Sequence, residues 1–401
     1  MNEQHVHATL EPALMTSAGE IATTHMRAAR CHEYGSPFSV DTIEKPSPRS
    51  TDVLIQVQAC GMVHNLVNVL DPNVAGDVIQ RPALPAIYGL DAAGVIVETG
   101  SQVHGLAVGD RVYVNPLRYC GSCRACRTGR VRGCNHLTLS GYLGSGPKSK
   151  QMLAEYPYGG YAEYMTAPHY SLVKLPDSVS FETAARWGYF GTSYSALRRA
   201  NVNMSTTVLI NGISGTLGLG AALFALALGA PMILGVGRDL ERLERVKALA
   251  PDRIHILSTA DGASVGDWTR SLTGGDGVDV VIDALPTGCA GSAFLAAADA
   301  LAREGVHVNV GSVLEPVPLN LFAIMNAHQS YVGSFWFTTP EGQEMADLAA
   351  SGSVNLDVLD HEIFGLDDIN EALAAITRDD RDGGFTNFVI TPRTGDVAEN
   401  S

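Results

Sequence analysis

Residues 206–218 read Thr206-Thr207-Val208-Leu209-Ile210-Asn211-Gly212-Ile213-Ser214-Gly215-Thr216-Leu217-Gly218, and an apolar run follows. A β-branched run that passes directly into a glycine-punctuated loop and then a helical pattern is the start of a βαβ unit. Such glycines allow a tight turn, let backbone amides approach a pyrophosphate and permit close strand–helix packing, while the helix N-terminus favours negative charge. Gly212, Ser214, Gly215, Thr216, Leu217 and Gly218 are therefore expected cofactor contacts. The first spacing is G-x-x-G rather than G-x-G, which alters the loop path and keeps the amides.

Downstream, strands and helices alternate: a helix over 217–228, a strand over 232–236, a helix over 240–249, then strands over 254–257, 278–284 and 306–310. This alternation predicts an α/β, doubly wound parallel sheet. The second strand ends Leu234-Gly235-Val236-Gly237-Arg238-Asp239, where an NAD site places an acidic residue for the ribose 2′-hydroxyl. Gly237 with Arg238 fits a 2′-phosphate instead, with Arg242 as a second contact, so NADP(H) is the expected cofactor. The alternative is a solvated Arg238 at a helix start, with Asp239 as the cap.

Upstream, short β-rich runs at 53–57, 93–97 and 111–114 lie between Gly and Pro punctuation, predicting a compact, mostly antiparallel β domain. Amphipathic stretches at 341–350 and 366–377 should return to it. The expected layout is a flexible arm over 1–25, a β domain over 26–188, a nucleotide domain over 189–337, and a return segment with tail over 338–401. Two domains suit a chain of 401 residues. No internal repeat is evident. His5 and His7 in the arm form a weak metal-binding pattern.

A net charge of −15 argues against nucleic-acid and anionic-membrane partners. No apolar run is long enough to span a bilayer, and the N-terminus lacks a secretory pattern, so a cytoplasmic location is expected. Cys120, Cys123, Cys126 and Cys134 form a C-x2-C-x2-C-x7-C array. Four thiolates can close around one tetrahedral zinc and leave no position for water or substrate, which makes it a structural site within a lobe over about 116–136. An iron–sulfur cluster is the competing metal, but its bacterial run places the fourth cysteine after three residues and before proline, whereas Asn135 follows Cys134 here. Cys31, Cys60 and Cys289 read as ordinary small core residues.

The chain resembles the zinc-type alcohol dehydrogenases of the medium-chain dehydrogenase/reductase family from Met26 to Pro392. The four-cysteine lobe carries the likeness, with Gly109-Asp110-Arg111-Val112, Gly159-Gly160-Tyr161-Ala162-Glu163-Tyr164, the glycine loop and Val278-Asp279-Val280-Val281-Ile282-Asp283. The resemblance implies a GroES-like β domain beside a Rossmann domain, and a homodimer or homotetramer. It also places His64, Thr192, Gly311 and Ser312 near the cofactor. The family's catalytic zinc is held by Cys, His and Cys, whereas the matching positions here are Val63, Leu90 and Gly188. Those side chains cannot ligate zinc, so one structural zinc and no catalytic zinc are expected. A two-ligand site built on His64 and Asp91 is the residual metal reading.

Loss of that Lewis acid disfavours simple alcohol oxidation. Hydride addition to a conjugated C=C, a cationic C=N or an activated C=O of a small apolar substrate becomes the expected chemistry. In such a step hydrogen-bond donors or a proton source suffice. Asn65 stands at the family's hydroxyl relay and can donate a hydrogen bond without shuttling a proton. Asn65, Tyr88, Asp91 and Tyr189 are the candidate catalytic groups, although Tyr88 also reads as a packed aromatic and Asp91 as a structural carboxylate. Trp187, Tyr189 and Phe190 should make the pocket apolar. A metal-independent alcohol/ketone dehydrogenase and a non-catalytic NADPH-binding protein are the alternatives.

Overall fold

The computed structural model describes residues 24–73, 79–378 and 383–393. Most of the expected arm, including His5 and His7, lies outside them. Two sheets organise the described chain. The nucleotide sheet has six parallel strands in the order Ile254–Ser258, Met232–Gly237, Thr207–Asn211, Val278–Asp283, Leu301–Asn309 and Ser330–Gly333. Strand order reverses beside Thr207–Asn211, and the crevice at the carboxyl ends of such strands is where α/β sheets bind ligands.

These strands form as they do because both faces are covered. In Val278–Asp283 five of six residues are buried, as expected of a parallel strand between helical layers. The helix after the glycine loop, Thr216–Ala227, is apolar on all sides and is sandwiched rather than half-solvated. Phe224 meets Phe190 and Tyr194 of the Trp187–Arg199 helix in edge-to-face contacts, with centroids 5.9 and 5.2 Å apart.

The other large sheet runs Leu172–Lys174, Arg111–Val114, Asp91–Thr99, Asp52–Gly61, Thr386–Thr391 and Asp360–Gly365, with Tyr164–Pro168 also paired to Asp52–Gly61. It is antiparallel except where Asp360–Gly365 joins Thr386–Thr391. Strand Thr386–Thr391 pairs with Cys60 and Gly61, so the C-terminal segment completes the first sheet. A small three-stranded sheet, Leu117–Arg118, Thr138–Leu139 and Leu143–Gly144, supports the cysteine lobe.

Candidate active site

Strand Asp91–Thr99 and helix Trp187–Arg199 meet where Asp91 packs against Gly188. Asp91 is 1% exposed, and one of its oxygens accepts a hydrogen bond from the Tyr113 hydroxyl at 2.7 Å. Tyr113 lies opposite Ala93 on the neighbouring strand, two residues from Asp91 on the same face, which makes this a diagonal cross-strand pair. The other carboxyl oxygen has no hydrogen-bond partner among the described residues. Burial pushes the Asp91 carboxyl up to about 7, partly opposed by the Tyr113 hydroxyl, the Arg186 guanidinium and the Gly188 amide.

Gly188 matters because it has no side chain. A β-carbon there would fall 2.2 Å from Asp91 Oδ1, so the carboxyl occupies the room that a side chain at 188 would take. Val63 and Leu90 are buried apolar residues.

Arg186, just before this helix, is also fully enclosed and donates to the carbonyls of Gly384 (3.0 Å) and Thr386. Its guanidinium lies 5.2 Å from the centre of the Tyr189 ring. Burial lowers it to about 10, with Tyr189 and Asp91 working the other way. The Tyr189 hydroxyl oxygen accepts the His64 backbone N–H at 3.0 Å and lies 3.3 Å from His64 Nδ1. Burial raises Tyr189 to about 12, so the hydroxyl stays protonated at neutral pH. His64 has a solvent-facing side, yet the surrounding protein and Arg186 hold its imidazole down to about 4, which keeps it neutral.

Asn65 Nδ2 donates to the Tyr142 hydroxyl at 3.0 Å, and its Oδ1 accepts from Asn68 at 2.9 Å. Tyr142 therefore keeps its own O–H to donate, and burial holds that proton firmly. Nothing in the sequence marked Tyr142, Tyr113 or Arg186, since only the fold brings them to Asn65 and Asp91. The structure assembles His64, Asn65, Asp91 and Tyr189 with these three, but it sets Tyr88 apart. Gly89, at φ +117°, turns the chain between Tyr88 and Leu90. Tyr88 then lies buried beside Tyr34, Cys31 and Arg81 and packs edge-on against Phe38, so the expectation that it faces the cleft with Asp91 is replaced by a packing role.

In the nucleotide domain, Gly212 takes φ +82° and its N–H donates to the Val236 carbonyl at 2.8 Å. A β-carbon on Gly218 would lie 2.1 Å from the Gly212 carbonyl oxygen, so only glycine lets the helix pack on the turn. The helix begins at Thr216, after Gly215, where its first N–H groups lack intrahelical acceptors and suit an anion. Ser214 lies beside Gly237, and its carbonyl accepts the Gly384 N–H at 2.8 Å. Asp239 caps the next helix by accepting the Arg242 N–H at 3.1 Å. Arg238 is exposed and has no ion pair among the described residues. Thr192 donates to the Gly188 carbonyl at 2.8 Å, within its own helix. Gly311 and Ser312 follow Leu301–Asn309, with amides donating to the carbonyls of Asp283 and Leu285.

In the lobe, the Sγ atoms of Cys120, Cys123, Cys126 and Cys134 all lie within 4.8 Å of one another. Zinc–sulfur bonds of about 2.3 Å in a tetrahedron require sulfurs roughly 3.8 Å apart, so the set fits zinc. It is the one group of three or more possible metal-ligating side chains among the described residues. Backbone N–H groups of Cys120 and His136 point at Cys134 Sγ, each at 3.4 Å, as partners of a thiolate. Among the described residues no helix is long and apolar enough to cross a membrane.

Residues 49–177 match the alcohol dehydrogenase GroES-like domain family, and residues 216–351 match the zinc-binding dehydrogenase family. An alcohol dehydrogenase of Geobacillus stearothermophilus is 33% identical over 349 residues, spanning 86% of this chain and 94% of that protein. An NAD-dependent alcohol dehydrogenase of Sulfurisphaera tokodaii is 30% identical over 352 residues, spanning 87% and 95%. The crystal structure of AibC superposes with a TM-score of 0.80 at 26% identity, covering 95% of this chain and 99% of that one.

Proposed function

Because this chain belongs to the zinc-type alcohol dehydrogenase family of medium-chain dehydrogenases/reductases, we propose that it is an oxidoreductase that has exchanged the catalytic metal for a buried polar network. In this reading it uses NADPH to reduce an activated C=C, C=N or C=O of a small apolar substrate. The observation that carries it is the Asp91 carboxyl filling the space beside Gly188, with apolar Val63 and Leu90 at the other two ligand positions.

When bound, a nicotinamide cofactor held by the Gly212–Gly218 loop would supply the hydride. Tyr142 and Tyr189 present hydroxyls that burial keeps protonated, which suits them to donate to a developing oxyanion. Asn65 holds Tyr142 in place. Asp91 carries a proton near neutral pH and shares a hydrogen bond with Tyr113, so it can serve as a proton reserve behind the cleft. Neutral His64 orients Tyr189 from the cofactor side.

The choice of NADPH over NADH rests on Gly237 and the unpaired Arg238, with Asp239 occupied as a helix cap. The four lobe cysteines hold one structural zinc in this reading. A homodimer or homotetramer is supported by the open edge strand Ser330–Gly333 and by the nearby exposed Leu321, Phe322 and Met325.

Steady-state turnover tests the proposal. NADPH oxidation should proceed with cyclic enones and fail with the corresponding saturated ketones. Alcohol-dependent reduction of NADP+ with no enone turnover would instead select a metal-independent alcohol/ketone dehydrogenase; the relatives' names favour alcohol as substrate.

A further inference from the structure

A cavity of about 830 Å³ lies between the cysteine lobe and the C-terminal end of helix Trp187–Arg199, and none of His64, Asn65, Asp91, Tyr113, Tyr142, Arg186 and Tyr189 lines it. Its walls carry Arg124, Arg130 and Arg132 from the lobe and Arg198 and Arg199 from the helix. In a chain of net charge −15, five guanidiniums around one hollow are a pronounced local reversal of sign.

Internal pairing accounts for only part of this charge. Arg132 donates to Glu341 at 2.7 Å and to Ser195 at 2.9 Å, and Arg198 pairs with Glu344. Arg124, Arg130 and Arg199 have no carboxylate partner among the described residues, and the same holds for Arg127 on the adjoining lobe helix. A zinc held by four thiolates would carry a formal charge of about −2 and offset two of these four. The last turn of a helix also favours cations, which eases Arg198 and Arg199 into place, and Arg199 keeps its charge without a carboxylate. A positive excess therefore faces the hollow.

We propose that this crevice binds a small polyanion bearing phosphate or several carboxylates. Guanidinium forks match both groups bidentately, and a cavity of this volume falls in the range that holds small molecules. A nucleic acid would meet the acidic field of the whole chain, whereas a small anion meets mainly the crevice walls. Arg132 already ties the lobe to helices Trp187–Arg199 and Thr339–Ala350, so an anion seated here would brace the lobe against both.

Calorimetric titration of the zinc-loaded full chain with inorganic pyrophosphate and, separately, with citrate tests this. At least one should bind with a sub-millimolar Kd that weakens with added salt, and the tighter of the two identifies phosphate or carboxylate as the preferred group. The double variant Arg130→Ala/Arg199→Ala should lose about tenfold or more in affinity at unchanged zinc content and melting temperature. Binding at the glycine loop would survive in that variant, so only the component sensitive to it counts. Should the double variant lose zinc, Arg199→Ala alone, which lies outside the lobe, must still weaken binding several-fold. No binding of either anion, or equal binding by wild type and variants, overturns the proposal.

Discussion

The Tyr113 hydroxyl donates to the Asp91 carboxyl at 2.7 Å in a pocket closed to solvent, directly against the backbone of Gly188. Asp91 in this setting has its pKa raised from 3.8 to about 7. The folded protein then holds a proton on Asp91 between about pH 4 and 7 that the unfolded chain releases, so stability falls as pH rises through that window. Above pH 7 the penalty is fully present, on the order of a few kcal/mol. Asp91→Asn removes it. The melting temperature of the variant relative to wild type should therefore climb from pH 4 to pH 7 and level off above. A constant difference across that range would contradict the raised pKa.

Gly188→Ala should be costly for a reason specific to this chain. Its new methyl would lie 2.2 Å from Asp91 Oδ1, and forcing such a contact in a packed interior costs about 1–3 kcal/mol. The loss should shrink when Asp91→Ala is introduced with it, because the clash is then gone. Denaturant unfolding of the two single variants and the double variant measures that coupling; additive losses would show that Gly188 and Asp91 do not compete for space.

Arg238→Ala should raise the NADPH dissociation constant by about tenfold or more while changing that for NADH little, since a charged hydrogen bond to a 2′-phosphate is worth about 1.5–3 kcal/mol. Fluorescence titration with both nucleotides distinguishes this from a general effect on the strand end. Equal weakening of both would remove Arg238 from the specificity argument.

Cys126→Ser leaves three thiolates in the lobe, a set that holds zinc poorly. Zinc content should drop and thermal unfolding should occur earlier. Unchanged zinc and melting would mean that the lobe does not depend on the metal.

The legibility of this molecule in its sequence divides along the range of the interactions involved. The parallel sheet was readable because its strands are short apolar runs separated by helical patterns, and its loop because Gly212 and Gly218 serve local geometric needs. The cysteine cluster was readable for the same reason, as its four members lie within fifteen residues. Expected helix and strand ends differ from the observed ones by a few residues, as where the helix expected over 240–249 closes at Lys247. The polar network was not readable. Asn65 finds Tyr142 across 77 positions, and Asp91 finds Tyr113 only through the register of two antiparallel strands. Tyr88 departs from its expected place because the chain turns at Gly89, whose positive φ a family resemblance does not reveal.

Zinc content measured on active, cofactor-responsive protein tests the central claim most directly. The four lobe cysteines, with Val63, Leu90 and Gly188 in the cleft, predict about one zinc per chain at full NADPH-dependent turnover. Two zincs per chain, with activity tracking the second, would contradict it.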